Sequence, residues 1–305
     1  MKIVFFGTPD FAVASLEALL ANQHKVLAVV TAPDKPAGRG MQLQISDVKK
    51  CAIEHQLLVL QPEKLRDPLF ISSLNQLQAD LFVVVAFRML PEVVWNMPPL
   101  GSINVHASLL PNYRGAAPIH WAIIHGEKIT GVTTFKLQHE IDTGHILKQK
   151  EVAILPEDNV GSMYTKLMYE GANLLIETLK EIEANTITEI PQLALENTHH
   201  APKITKAISE INWNQPALKI LNLIRGLSPM PAAFTFLQQK RLKIYSASIL
   251  ESNTMASPGT VNSDQKTFIK IACQDAWLLL GEVQLEGKKR MSVEDFLKGN
   301  TIELI

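Results

Sequence analysis

The 305-residue chain is poor in cysteine and aromatics and has no excess of either charge. Its two cysteines, Cys51 and Cys273, lie far apart and in no metal-ligand spacing, so no disulfide framework is expected and a reducing, cytoplasmic location is the default. No apolar run reaches the length of a membrane-spanning helix, so no membrane partner is expected. The opening Met1-Lys-Ile-Val-Phe-Phe-Gly7 is too short an apolar run for a signal peptide and reads as a first strand. The turn Gly7-Thr-Pro-Asp10 belongs to neither Gly-x-Gly-x-x-Gly nor a P-loop; Pro9 and Asp10 there suit the start of a helix. No Gly-x-Ser-x-Gly elbow is present, which argues against a serine nucleophile. The histidines form no metal-binding cluster, so no metal is expected.

What is present suffices for a folded two-domain chain. The sequence is 47% hydrophobic and 19% charged, with a net charge of -1. That charge is unevenly spread. Residues 1–202 hold 16 Lys and Arg against 21 Asp and Glu, a net of -5, whereas residues 203–305 hold 13 against 9, a net of +4. A basic C-terminal third on an acidic body permits a polyanionic partner.

Strands and helices alternate through the first half. Apolar strand runs occur at Lys2–Phe6, Val26–Thr31, Leu57–Leu60, Leu81–Phe87, Ile103–His106 and Gly131–Leu137. Helical spacing occupies Phe11–Ala21, Val48–His55, Asp67–Leu77, Pro118–His125 and Val160 to about Ala184. This alternation predicts an α/β, Rossmann-like, mainly parallel sheet with helices on both faces. Asp34–Ser46 is too rich in Gly and Pro for a regular element and reads as a loop. After residue 186 periodicity fades, and short strands separated by turns follow at Phe234–Leu237, Lys243–Ala247, Gly259–Val261, Phe268–Ala272 and Trp277–Val283, with a helix at Ala217–Arg225. The expected organisation is a catalytic domain over 1–189, a linker over 190–209 and a small, OB-like β-barrel over 210–305.

The chemistry centres on Ser102-Ile-Asn-Val-His-Ala-Ser-Leu-Leu-Pro111. Asn104 and His106 are two residues apart in an apolar strand, so their side chains share a face. His106 falls at a strand's carboxyl end, where ligands bind in open α/β sheets. Downstream, Glu140-Ile-Asp-Thr-Gly144 brings a carboxylate on a glycine-bearing loop. An amide and an imidazole side by side can stabilise an oxyanion and move a proton, while Asp142 would orient the imidazole or hold a proton-shuttling water. The trio suits acyl or formyl transfer to an amine without a covalent enzyme intermediate.

Several motifs together carry a resemblance: Phe6-Gly-Thr-Pro-Asp-Phe-Ala12, Thr31-Ala-Pro-Asp-Lys-Pro-Ala-Gly-Arg-Gly40, Asn104-Val-His-Ala-Ser-Leu-Leu-Pro111, Tyr113-Arg-Gly-Ala-Ala-Pro118, Ile141-Asp-Thr-Gly144 and Ala201-Pro-Lys-Ile-Thr205. Over essentially its full length the chain resembles the folate-dependent formyltransferase family, most of all the members acting on methionyl-tRNA. The resemblance implies formyl transfer from 10-formyltetrahydrofolate, as co-substrate, to the amino group of charged initiator methionyl-tRNA, for translation initiation. It implies catalytic roles for Asn104, His106 and Asp142, and folate contacts at Ser108, Leu109, Leu110, Pro111, Phe87, Arg88, Leu90 and Ile141. One departure is Val85-Ala-Phe-Arg-Met-Leu-Pro91, where Arg88 takes the place of a glycine common in the family and the turn is one residue shorter. For tRNA, the resemblance implies contacts from Lys35 and Arg39 on the Asp34–Ser46 loop. The basic C-terminal third adds Lys203, Lys206, Lys288, Lys289 and Arg290 as backbone-contacting residues. A monomer is expected.

Three rivals stand beside this expectation. The same chemistry on a small amine is opposed by the Asp34–Gly40 loop and the basic barrel. A non-catalytic tRNA-binding protein is opposed by the joint presence of Asn104, His106 and Asp142. Hydrolysis of formyl-folate would use the same three residues and stays open.

Overall fold

The computed structural model describes residues 1–37, 42–193, 198–250 and 256–302. It divides into two compact units. The first comprises Met1–Gly115, Thr130–Ala153 and Tyr164–His200; the second comprises Ala116–Ile129, Ile154–Met163 and Ala201–Ile305. Among the described residues no helix is long and apolar enough to cross a membrane.

The first unit is built on a seven-stranded sheet. In order across it run Ile146–Ala153, Ile129–Lys136, Ser102–His106, Leu81–Val85, Lys2–Gly7, Lys25–Val30 and Val59–Leu60. From Ser102–His106 to Val59–Leu60 every pairing is parallel, whereas Ser102–His106 and Ile129–Lys136 run antiparallel. The central strands are apolar throughout because both faces are covered; all five residues of Leu81–Val85 are buried. Helix starts follow capping chemistry. The Ser46 side chain accepts from the Lys49 amide, and that of Asp67, just ahead of Pro68, from the Leu69 amide.

Two departures from expectation lie here. Ile146–Ala153 is an edge strand with no sequence-level counterpart. Within the expected loop Asp34–Ser46, Lys35–Ala37 pairs antiparallel with Gln42–Gln44. That ladder has three rungs, with Pro36 opposite Leu43 in the middle one, in a two-stranded sheet where both strands are edges and a proline is tolerated.

The second unit carries an antiparallel sheet. Ala233–Leu237, Lys240–Leu250, Trp277–Leu285, Ile269–Ala272 and Val261–Ser263 lie in that order, and Met291–Ser292 also pairs with Trp277–Leu285. The inward-facing Leu242, Ile244, Leu278, Leu280 and Val283 close over Ile220, Ile224 and Leu227 of helix Ala217–Leu227. This is the expected small barrel-like domain with its leading helix; the short helix Val293–Leu297 is additional. Gly226 sets how closely helix Ala217–Leu227 approaches helix Pro118–Ile124. A Cβ there would lie 2.6 Å from Ile124 Cγ1 and 3.1 Å from the His120 carbonyl oxygen. Of the expected linker, His200–Ala201 forms a two-residue strand and Lys206–Ser209 a single helical turn.

Candidate active site

The strand Ser102–His106 positions the first two functional groups. Asn104 pairs across the sheet with Val84 on one side and Phe135 on the other, and His106 with Thr133. The Asn104 side-chain oxygen is buried and has no hydrogen-bond partner. An unsatisfied buried polar atom costs roughly 1–3 kcal/mol, so its retention requires a reason beyond folding.

His106 is 7% exposed. Its Nε2 lies 2.9 Å from the main-chain oxygen of Tyr113. A carbonyl can only accept, so Nε2 carries a proton and donates it. In the neutral ring Nδ1 is therefore bare, and it faces Asp142 Oδ2 at 3.9 Å. Two acceptors face each other until Nδ1 takes a proton, at which point they form an ion pair. The geometry thus couples arrival of a proton on His106 to an attractive contact with Asp142.

Asp142 itself is held at φ +56°, in the left-handed region. Its Oδ2 accepts from the Gly115 amide at 2.9 Å, and its main-chain oxygen accepts from Gln192 Nε2 at 3.0 Å. The three residues expected to act together are therefore brought to one face of the first unit's sheet by one strand and one loop.

The turn after His106 is a rigid shelf. Ser108 is fully buried, and its hydroxyl donates to the Asn112 carbonyl at 2.7 Å. Thr133 Oγ1 donates to the Ser108 carbonyl at 2.6 Å and accepts from the Leu110 amide at 3.1 Å. Gln149 Nε2 donates to the Leu110 carbonyl at 2.8 Å. The Ser108 hydroxyl is thus spent within the turn. Leu110 is 3% exposed and packs with Phe135 and Ile146, while Leu109 and Pro111 are half-buried.

The other expected folate residues divide by exposure. Ile141, beside Asp142, is 61% exposed. Phe87 is half-buried against Phe6, with ring centroids 5.7 Å apart. Leu90 is in the core with Val84 and Val94. Arg88 turns over the Phe87 ring at 5.5 Å and donates to the Glu63 carbonyl at 2.8 Å and to that of Pro62. Partial burial there holds its guanidinium below the usual arginine range.

Among the expected tRNA contacts, Lys35 is exposed and Arg39 lies outside the described residues. Lys203, Lys206, Lys288 and Lys289 are exposed in the second unit. Arg290 is exposed too, but it pairs with Glu282 and stacks over Tyr245 at 4.3 Å. Among the described residues, no three His, Cys, Asp or Glu side chains are grouped so as to hold a metal ion.

Sequence reasoning missed Tyr113 and Gln192. The proton placement on His106 depends on a main-chain oxygen, which no side-chain pattern announces. Gln192 falls in a stretch without periodicity.

Two family models account for most of the chain. The formyl transferase model matches residues 1–179, and the formyl transferase C-terminal domain model matches residues 203–301. The chain belongs to the formyl transferase family. It is 47% identical over 307 residues to a methionyl-tRNA formyltransferase of Bacteroides fragilis, covering 98% of this chain and 95% of that one. It is 49% identical to another of that name from Azobacteroides pseudotrichonymphae, covering 98% and 96%. Among solved structures, it resembles the N-formyltransferase of Helicobacter canadensis in complex with folinic acid and dTDP-3-aminofucose. The TM-score is 0.68 at 21% identity, over 95% of this chain and all of that one. HypX of Aquifex aeolicus in complex with tetrahydrofolic acid superposes with a TM-score of 0.66 at 19% identity, over all of this chain and 49% of that one. These two likenesses concern the fold. The sheet and the smaller antiparallel domain are thus those of formyl transferases, as the sequence motifs led us to expect.

Proposed function

We propose that this chain transfers the formyl group of 10-formyltetrahydrofolate to the amino group of charged initiator methionyl-tRNA, as a monomer in the cytoplasm. The observation that carries the choice of amine is the 47–49% identity, end to end, to enzymes named for that reaction. The observation that carries the chemistry is that His106, hydrogen-bonded to the Tyr113 carbonyl and on the same strand as Asn104, faces Asp142 at 3.9 Å, while the Asn104 side-chain oxygen has no partner.

The folate would supply the formyl group, lying along the shelf Ser108–Pro111 with Phe87, Arg88, Leu90 and Ile141 around it. The orphaned Asn104 side-chain oxygen fits such a ligand, since a donor on the folate or the incoming amine gives it the partner the fold withholds. In this reading Asn104 donates to the oxygen on which charge develops. His106 gains a proton at Nδ1 as the amine attacks and loses one, Asp142 stabilises the imidazolium so formed, and that proton passes to the folate nitrogen as its bond to the formyl carbon breaks. The Nε2 proton stays on Nε2, donated to the Tyr113 carbonyl throughout, so Nδ1 is the working nitrogen. Lys35 and Arg39, with Lys203, Lys206, Lys288, Lys289 and Arg290, would meet tRNA phosphates.

The test is formyl transfer from 10-formyltetrahydrofolate to methionyl-tRNA, to uncharged tRNA and to a small primary amine. Transfer to the first alone is expected. Faster transfer to the small amine, or release of formate without transfer, would overturn the assignment.

A further inference from the structure

The residues between the two family matches, 180–202, do more than join them. Glu189 pairs with Lys136 and lies 3.1 Å from His145 Nδ1. Ile190 and Ile146 exchange both main-chain hydrogen bonds, at 2.9 and 2.8 Å. This laces the segment to the sheet edge beside the Asp-Thr-Gly loop. Two residues on, Gln192 Nε2 donates to the Asp142 carbonyl at 3.0 Å and the Gly144 carbonyl at 2.8 Å. Gln192 Oε1 accepts from Arg114 Nε at 3.0 Å and also from Arg114 Nη2. Both amide protons and both oxygen lone pairs are therefore used, and the bonds from a guanidinium strengthen the amide's own donation.

Asp142 needs such a hold. A non-glycine residue at φ +56° pays about 1–3 kcal/mol for its backbone conformation and persists only when its surroundings over-determine it. The Gly115 amide fixes the carboxylate; Gln192 fixes the main chain beneath it. We propose that Gln192 is a positioning residue for the reaction: clamped by Arg114, it locks the Asp142–Gly144 turn so that the Asp142 carboxylate faces His106. The assignment rests on the reading of His106 and Asp142 as catalytic. A misplacement of about 1 Å at such a pair can cost on the order of 100-fold in rate.

The decisive substitution is Gln192→Glu. Glutamate keeps the contact with Arg114 and strengthens it, so the segment stays anchored. It removes both donors and sets a carboxylate against two carbonyl oxygens. The experiment measures kcat and KM for both substrates, the melting temperature and the 15N shifts of the His106 ring, in wild type and in Gln192→Glu. Gln192→Met, similar in size and without polar atoms, serves if Gln192→Glu does not fold. The expected result is kcat lowered about tenfold or more, both KM values within about twofold, a variant still folded at the assay temperature and displaced His106 resonances. A folded variant with wild-type kcat, with its loss confined to KM, or with unmoved His106 shifts overturns the assignment. If wild type itself does not formylate methionyl-tRNA, the substrate reading falls, and the His106 shifts, which need no substrate, still decide the role of Gln192.

Discussion

Gly144 passes so close to Lys136 that a Cβ at position 144 would lie 1.6 Å from the Lys136 carbonyl oxygen. The obstacle is backbone within the sheet, so a side chain there displaces the Asp-Thr-Gly loop. Gly144→Ala should therefore cost about 3 kcal/mol or more, at or beyond the upper end of ordinary overpacking. Urea unfolding monitored by circular dichroism checks this, and a loss under about 1 kcal/mol would show that the loop yields freely.

Asn104 offers a contrast between stability and activity. Its side-chain oxygen is buried without a partner, so removing it relieves the fold, while the proposed mechanism loses its oxyanion donor. Asn104→Leu should melt no lower than wild type and lose about 100-fold or more in kcat. A variant that melts lower and still turns over would assign Asn104 to the scaffold.

His106→Ala and Asp142→Asn should each lower kcat by about 100-fold or more, since the proposed mechanism moves the proton through this pair. Combined, the two should cost little more than either alone, because the residues act as a unit. Steady-state kinetics on the double variant measure this; additive losses would mean that the two act independently.

Acid should weaken the second unit through His120. Burial holds its imidazole below the usual value near 6.5, and a hydrogen bond with the Met230 backbone only partly offsets that. The unfolded chain then binds the proton more readily than the folded one. Stability is full above about pH 6.5 and falls as the pH drops toward the lowered folded-state value. His120→Gln should flatten this loss below about pH 6.5, read from urea midpoints; an unchanged slope would place the acid sensitivity elsewhere.

Lys288 and Lys289 are exposed, whereas Arg290 is tied to Glu282 and Tyr245. Replacing both lysines by Ala should weaken tRNA binding and flatten its salt dependence by up to about one unit of log–log slope per phosphate contact. Arg290→Ala should change the slope less and cost barrel stability instead. Filter binding across salt concentrations separates the two effects; identical slopes for all variants would remove this edge from the tRNA surface.

Much of this was legible in the sequence where a period carries information. A strand's period of two puts Asn104 and His106 on one face, and continuous apolar runs mark the covered strands. The strand Ile146–Ala153 escapes because only its first residues are buried, and Lys148-Gln-Lys-Glu151 lies along an open edge. Gln192 escapes because its partner Asp142 is 50 residues away and the contact depends on a two-bond bridge between Ile146 and Ile190. Tertiary contacts of this kind have no local signature.

The acceptor for the His106 Nε2 proton is part of the main chain, and that sets what genetics can see of it. Every substitution at position 113 keeps the carbonyl, so alanine scanning passes over the group that fixes the tautomer. Only atomic replacement reaches it. Exchanging the amide between Tyr113 and Arg114 for an ester weakens the carbonyl as an acceptor while every side chain stays in place. In this site a determinant of proton placement is shielded from mutation by the chemistry of the peptide bond.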